Sequence, residues 1–127
     1  MSLNIEIRTV PHKAQRYDTC GDWFYEGDKL IILVSELGDW RKEYLVADHE
    51  LREAMICRHK GITAEMVDAF DFTWKGEGEP GDDPKCPCRK EHFFATSIER
   101  LTAAELEVNW TEYDKQIENL EWNPDEK

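Results

Sequence analysis

The segment from Asp39 to Gly61 constrains the fold more than any other part of the chain. Rotation by about 100° per residue sorts its apolar side chains onto two arcs, which predicts one helix from about Trp40 to His59. Asp39 is a suitable N-cap and Gly61 a suitable C′ residue. The two arcs hold Leu45, Val46, Ile56 and Cys57 on one side, and Tyr44, Leu51 and Met55 on the other. Because both arcs need cover, we expect this helix to lie in the middle of the fold.

The N-terminal third predicts a small antiparallel β-sheet. Leu3, Ile5 and Ile7 alternate with polar residues, which indicates a half-buried strand that ends at Pro11. Residues 22–25 and 29–34 flank a short connection that contains a glycine, and this arrangement is typical of a β-hairpin. The second arm of the hairpin is apolar on both faces, so we expect it to be a central strand.

The remainder of the chain predicts further helices. Thr63 is the expected N-cap of a short helix at 64–70, and Asn109 of the last helix. We therefore expect one α+β domain, in which a small N-terminal antiparallel β-sheet or hairpin packs against a bundle of about four helices around the central one. We expect the sheet at 1–36 and the helices within 39–121, with the later helices at 89–107 and 110–120. A flexible loop at 73–88 and a tail at 122–127 complete this single domain, which spans 1–127.

The charge balance narrows the function classes. The chain has 16 Lys and Arg against 28 Asp and Glu, a formal net charge of -12. It would repel nucleic-acid phosphates, so non-specific nucleic-acid binding is not expected, whereas metal binding or a basic protein partner is compatible with it. We find no apolar run of membrane-spanning length and no signal peptide, and we expect the four cysteines to be reduced. These features predict a cytoplasmic protein without a membrane partner.

The strongest functional signal is the stretch His49-Glu50-Leu51-Arg52-Glu53 on the central helix. His49 and Glu53 share a helix face four residues apart, inside an apolar arc where an unpaired carboxylate is costly. A zinc ion would supply the missing charge, with Glu50 as the base that accepts a proton from a zinc-bound water. We predict His92, near the start of the next long helix, as the third ligand. The reserve ligands are Asp68 and Asp71.

Other interpretations of these residues remain open. His49 could pair with Glu53 or Arg52 in a purely structural salt bridge. The order E-x-x-E then E-x-x-D resembles that of all-helical nucleotide pyrophosphohydrolases, in which four acids hold Mg²⁺; the matching residues here are Glu50, Glu53, Glu65 and Asp68. Cys86 and Cys88 with His92 could form a small zinc site, although we expect these cysteines to be incidental in a surface loop.

Several phrases of the chain resemble a group of small proteins, without an assigned activity, that phages and prophages encode. The resemblance spans most of the chain and rests on Arg16-Tyr17, Gly21-Asp22-Trp23, Val34-Ser35, the helix from Leu45 to Cys57 and residues 93–100. The helix motif is similar to the H-E-x-x-H of zincin metallopeptidases, with Glu53 where the second His stands.

Together these features predict a phage-type, metal-dependent hydrolase with a metallopeptidase-like zinc site. The alternative is a non-enzymatic acidic protein that blocks a basic partner.

Overall fold

The computed structural model describes residues 2–74 and 80–124 of the chain. Its strands are β1 (Ile5–Val10), β2 (Gly21–Glu26) and β3 (Lys29–Ser35), and its helices are α1 (Trp40–Lys60), α2 (Ala64–Thr73), α3 (Arg89–Glu105) and α4 (Trp110–Glu118), with 3₁₀ turns at His12–Ala14 and Pro80–Asp82. The predicted α+β class and the order of elements are confirmed. Residues 75–79 of the predicted flexible loop and 125–127 of the predicted tail lie outside the described residues.

The sheet is mixed rather than purely antiparallel. Its order is β1-β3-β2, so β3 is central as predicted, and β2 and β3 form the expected antiparallel hairpin. β1, however, runs parallel to β3. Strand alternation specifies a buried face but not a direction. The direction of β1 is set by the connection at residues 11–20. This connection is long enough to pass the end of β3, where Ser35 N–H donates a hydrogen bond to Cys20 O at 2.8 Å.

The central position of α1 is confirmed, because it packs on β2 and β3 on one side and on α3 on the other. Leu30, Ile32 and Val34 of the sheet and Leu45 of the helix are fully or almost fully buried in the core between them. The predicted caps hold the ends of α1. The Asp39 carboxylate accepts a hydrogen bond from Arg41 N–H at 2.9 Å, and Gly61 takes a left-handed conformation.

The helix approaches β2 closely because Gly21 has no side chain. A Cβ atom built there would lie 2.6 Å from Val46 Cγ1 and 2.8 Å from Glu50 Oε1. A larger residue would push α1 away from the sheet. The missing side chain therefore brings Glu50 against the sheet.

The C-terminal half closes the fold. Lys60 at the end of α1 pairs with the buried Glu91 of α3 at 3.3 Å. Trp122, in the predicted tail, donates a hydrogen bond to Gln15 O at 3.3 Å and is half-buried. None of the helices in the described ranges combines the length and the apolar character needed to cross a bilayer.

Candidate metal centre

Two helices bring three potential ligands together. His49 and Glu53 lie one turn apart on the inner face of α1, and His92 lies in the first turn of α3. His49 and Glu53 are buried, and His92 is half-buried. Within the described residues, these three are the only group of three or more histidine, cysteine or acidic side chains with ligand atoms close enough to share a metal ion.

The three ligand atoms form a nearly equilateral triangle. His49 Nε2 lies 3.2 Å from Glu53 Oε2 and 3.2 Å from His92 Nδ1, and His92 Nδ1 lies 3.3 Å from Glu53 Oε2. A tetrahedral zinc ion with bonds of 2.0–2.1 Å separates its ligand atoms by about 3.3–3.4 Å. The triangle is therefore within about 0.2 Å of the size that zinc requires.

A set of direct hydrogen bonds explains this triangle less well. If both histidine nitrogens donate to the same Glu53 oxygen, two N–H groups face each other with their nitrogens 3.2 Å apart. If one of these nitrogens is unprotonated instead, it and the Glu53 carboxylate compete for the single proton on the other nitrogen. A single cation inside the triangle satisfies all three atoms at once.

Each ligand is held by a second contact at its outer atom. His49 Nδ1 contacts Glu99 Oε1 at 2.7 Å, and Tyr113 O–H donates to the other Glu99 oxygen at 2.6 Å. Trp23 Nε1–H donates to Glu53 Oε1 at 3.3 Å. Such outer partners orient metal ligands and fix the histidine tautomer. Here the Glu99 contact leaves His49 Nε2 facing the triangle.

His92 also has a carboxylate at its outer nitrogen. Its Nε2 lies 3.4 Å from Asp82 Oδ1. The 3₁₀ turn that carries Asp82 lies directly against the ring, because a Cβ atom built on Gly81 would be 2.5 Å from His92 Cγ and Nδ1. Glycine at this position therefore lets the turn support the third ligand from outside.

The charges of the three groups depend on one another. Burial alone would raise the pKa of Glu53, but hydrogen bonds from His49 and His92 outweigh it and lower the pKa to about 2. Burial would lower the pKa of His49, but its hydrogen bonds to Glu53 and Glu99 raise it well above its usual value. Burial and the repulsion from His49 would lower the pKa of His92, but the hydrogen bond and charge of Glu53, together with the charge of Asp82, raise it. Without a metal, protons on the histidines compensate the carboxylates.

A small cavity of about 40 Å³ borders the triangle and is lined by Glu50, Glu53, Asp71 and His92, among others. It is large enough for one or a few water molecules. Tyr17 O–H donates to Asp71 at 2.9 Å, and burial, opposed by this bond, raises the pKa of Asp71 to about 7. The cavity thus places Glu50, the predicted base, and a second carboxyl group beside the three ligands.

The other predicted ligands do not belong to the triangle of ligand atoms. Both Asp68 oxygens accept hydrogen bonds from Arg16, at 3.0 and 3.1 Å, and Asp71 contacts Tyr17. Glu65 lines a separate pocket beside Arg58. Within the described residues, the four acids predicted for Mg²⁺ (Glu50, Glu53, Glu65 and Asp68) are not brought together as ligands.

Arg52 and the cysteine pair also differ from their predicted settings. Arg52 pairs with Asp48 at 3.1 Å rather than with His49. Cys86 and Cys88, predicted to be incidental in a surface loop, are buried, with their sulfur atoms 2.8 Å apart. They do not join His92 in a group of ligand atoms. The compact turn before α3 buries them, a tertiary effect that a proline- and glycine-rich sequence does not reveal.

Sequence reasoning missed most of the outer contacts. Glu99 carried a signal, since it lies on the same helical stripe as His92, seven residues further on. Tyr113 and Trp23 come from distant elements, and only the assembled fold places them next to the site.

No protein-family model, curated protein or solved structure matches the chain.

Proposed function

We propose that this protein is a zinc-dependent hydrolase in which His49, Glu53 and His92 bind the metal and Glu50 acts as the base. The observation that supports this proposal best is the triangle of ligand atoms, with edges of 3.2–3.3 Å and a separate contact on each outer atom. A cluster of salt bridges has no need of this combination, whereas catalytic zinc sites commonly have it.

The donor types favour zinc over magnesium. Two imidazole nitrogens and one carboxylate oxygen form a mixed nitrogen and oxygen set, which suits zinc. Mg²⁺ prefers oxygen ligands in octahedral geometry and retains several waters. The charge also balances, because a divalent cation neutralises the buried carboxylates of Glu53 and Glu99 when both histidines are neutral.

Three protein ligands leave the fourth tetrahedral position for water, as in catalytic zinc sites. Zinc lowers the pKa of such a water to about 7, so that a nearby carboxylate can take its proton at neutral pH. Glu50 follows His49 directly on α1 and lines the two cavities that border the ligands. Its role is to accept the water proton and deliver it to the leaving group.

The substrate of this hydrolase is proposed only as a class. The similarity of the helix motif to zincins suggests an amide or ester, with a peptide as the first choice. A groove of about 850 Å³ borders the small cavity and shares Tyr17, Asp71 and Pro80 with it, and we propose this groove as the place where the substrate lies. The resemblance to phage-encoded proteins remains a prediction.

The alternative function, an acidic protein that blocks a basic partner, has less support. Most of the described acids are exposed or half-buried, as such a protein needs, but Glu53 and Glu99 are buried against the histidines instead of facing a partner. A pull-down that recovered a basic partner in a strongly salt-dependent way would favour this alternative.

Metal analysis of protein purified without a nickel column tests the zinc site. We expect about one zinc per chain, and a rise in the melting temperature when zinc is added to chelator-treated protein. The Asp68→Asn variant, which leaves the triangle intact, should behave in the same way. Absence of stoichiometric metal together with an unmoved melting temperature would contradict the proposal.

The Glu50→Gln variant separates metal binding from catalysis. It should retain zinc but lose hydrolysis of a fluorogenic peptide library by at least roughly 100-fold, because general base catalysis is removed. Equal activity of the variant and the parent protein would exclude Glu50 as the base.

A further inference from the structure

The turn before α3 contains a second reactive cluster that the zinc site does not use. The sulfur atoms of Cys86 and Cys88 lie 2.8 Å apart, and Cys88 N–H donates to Cys86 Sγ at 3.4 Å. Non-bonded atoms of this size pack at roughly 3.5–4 Å, so the two thiols are in unusually close contact.

The distance between the two sulfurs indicates whether they are suited to bind a metal together or to form a disulfide. Two thiolates on one tetrahedral zinc, with bonds of 2.3 Å, are about 3.8 Å apart, which is wider than the observed pair. A disulfide requires about 2.05 Å, which the pair reaches by moving together by only about 0.8 Å. The geometry therefore favours bond formation between the sulfurs over shared metal binding.

The surroundings admit a small oxidant. Cys88 lines the same 40 Å³ cavity as Glu53, Asp71 and His92, and Cys86 lies behind it with its sulfur 2.8 Å from Cys88 Sγ. A space of this size takes molecules as small as water or hydrogen peroxide.

Cys57 differs from this pair. It is fully buried in α1, and burial raises the pKa of its thiol to about 12. We therefore expect Cys57 to stay protonated and unreactive at neutral pH.

We propose that Cys86 and Cys88 form a peroxide-reactive dithiol that closes to a reversible disulfide. The Cys86 thiolate attacks one peroxide oxygen, the O–O bond breaks, and hydroxide leaves with a sulfenic acid on Cys86. The Cys88 sulfur then attacks the Cys86 sulfur, the S–O bond breaks, and the hydroxyl leaves as water with the Cys88 proton. Two thiols and one peroxide give one disulfide and two waters, and an external dithiol reverses the reaction.

The order of attack follows from the contacts at Cys86. The contact with the Cys88 sulfur lowers the pKa of Cys86 below its usual range, and the Cys88 backbone N–H donates to Cys86 Sγ at 3.4 Å. The thiolate is the nucleophilic form of cysteine, so Cys86 is the attacking residue and Cys88 the resolving one.

Thiol mapping of the full-length protein tests the proposal. The protein is treated with hydrogen peroxide, blocked with iodoacetamide and analysed by peptide mass spectrometry. We expect two of the four cysteines to lose their reactivity together, with Cys86 and Cys88 linked in one peptide and both thiols restored by dithiothreitol. Oxidation of Cys20 or Cys57 first, or no linked peptide, would overturn the proposal.

Variants test the two roles and supply the control. Cys88→Ser should stop at a sulfenic acid on Cys86, which dimedone captures, whereas Cys57→Ser should still form the disulfide. Loss of dimedone labelling in Cys88→Ser, with native circular dichroism, would exclude Cys86 as the attacking residue.

The proposal does not depend on the hydrolase site, and a zinc experiment keeps the two apart. In the Glu53→Gln variant, added zinc should leave both thiols open to iodoacetamide. Protection of the pair by one equivalent of zinc would instead identify a thiolate metal site and overturn the redox proposal.

Discussion

Two clusters of acidic side chains contact neighbouring residues of β2, and the charges of their buried carboxylates are compensated in different ways. Asp22 belongs to the cluster around Arg16, and Trp23 contacts the cluster around Glu53. In the first cluster, which we call the arginine cluster (Arg16, Asp22 and Asp68), a permanent cation is part of the chain. In the second, the histidine cluster (His49, Glu53, His92 and Glu99), the only compensating groups are histidines.

The arginine cluster is complete without a ligand. Arg16 donates to Asp22 at 2.7 and 3.0 Å and to Asp68 at 3.0 and 3.1 Å, so each carboxylate receives a bidentate contact. The guanidinium also lies 4.3 Å above the Phe24 ring. Arginine keeps its charge at every physiological pH, and the arrangement therefore has no use for a metal.

The ligand atoms of the histidine cluster surround a common point, whereas the acids of the arginine cluster surround the Arg16 guanidinium. The three inner atoms of the histidine cluster converge on one another, and its outer atoms contact groups that fix their direction. We infer from the comparison that a buried acidic cluster can hold a metal when its ligand atoms converge, and has a structural role when a guanidinium already occupies its centre.

Removal of a ligand should have the largest effect. Glu53→Gln keeps the side-chain volume but removes the anionic ligand, and it should weaken zinc binding by more than roughly 100-fold, a larger loss than outer-partner changes cause. Isothermal titration calorimetry with chelator-treated protein measures this loss. Asp68→Asn is the matched acid-to-amide control in the arginine cluster. Similar zinc affinities in the two variants would remove the distinction between the clusters.

The second prediction concerns pH. The pKa values of His49 and His92 are raised from 6.5, and zinc needs both rings neutral, so zinc affinity should rise with pH by up to roughly tenfold per unit for each displaced proton.

The stability of the metal-free protein should change in the opposite direction and fall as the pH rises. A raised histidine pKa gives stability that is fully present below pH 6.5 and is lost as the pH rises through the folded-state value. Its melting temperature should therefore fall above about pH 6.5, while the gain from added zinc increases. A pH-independent zinc effect between about pH 6 and pH 8 would contradict a histidine-bound metal.

An outer contact should have a smaller effect. Tyr113→Phe removes the hydroxyl that donates to Glu99 at 2.6 Å, and loosens the carboxylate that orients His49. We expect zinc affinity to fall by about tenfold, at the lower end of the range for such partners. Competition with a chromophoric chelator measures it. Tyr17→Phe, which removes a hydroxyl from Asp71 instead, is the control and should change zinc affinity less.

The smallest effect on zinc should come from the arginine cluster itself. Arg16→Met leaves Asp22 buried without its cation, and should lower the free energy of unfolding by about 3 kcal/mol while zinc affinity stays within about twofold. Urea unfolding of the metal-free protein and zinc titration measure the two quantities. A large loss of zinc affinity with little loss of stability would show that the two clusters are coupled.

The convergence of His49, Glu53 and His92 could be predicted from the sequence because these residues obey local rules. His49 and Glu53 are four apart on a helix with clear caps, and His92 is the histidine near the start of the next long helix. The strand direction of β1, the burial of Cys86 and Cys88, and the contacts from Trp23 and Tyr113 were not predictable in this way. They depend on how distant elements meet, and helical periodicity contains no information about that.

Gly81 gives the centre a property that the ligands themselves do not determine. The His92 ring packs directly against the backbone turn at Gly81, with no side chain between them. A methyl group at this position would lie 2.5 Å from the imidazole ring. A side chain at position 81 would therefore change how closely the three potential ligand atoms approach one another, while the types of ligand atom stay the same. Selection or engineering could retune the centre there without replacing a ligand.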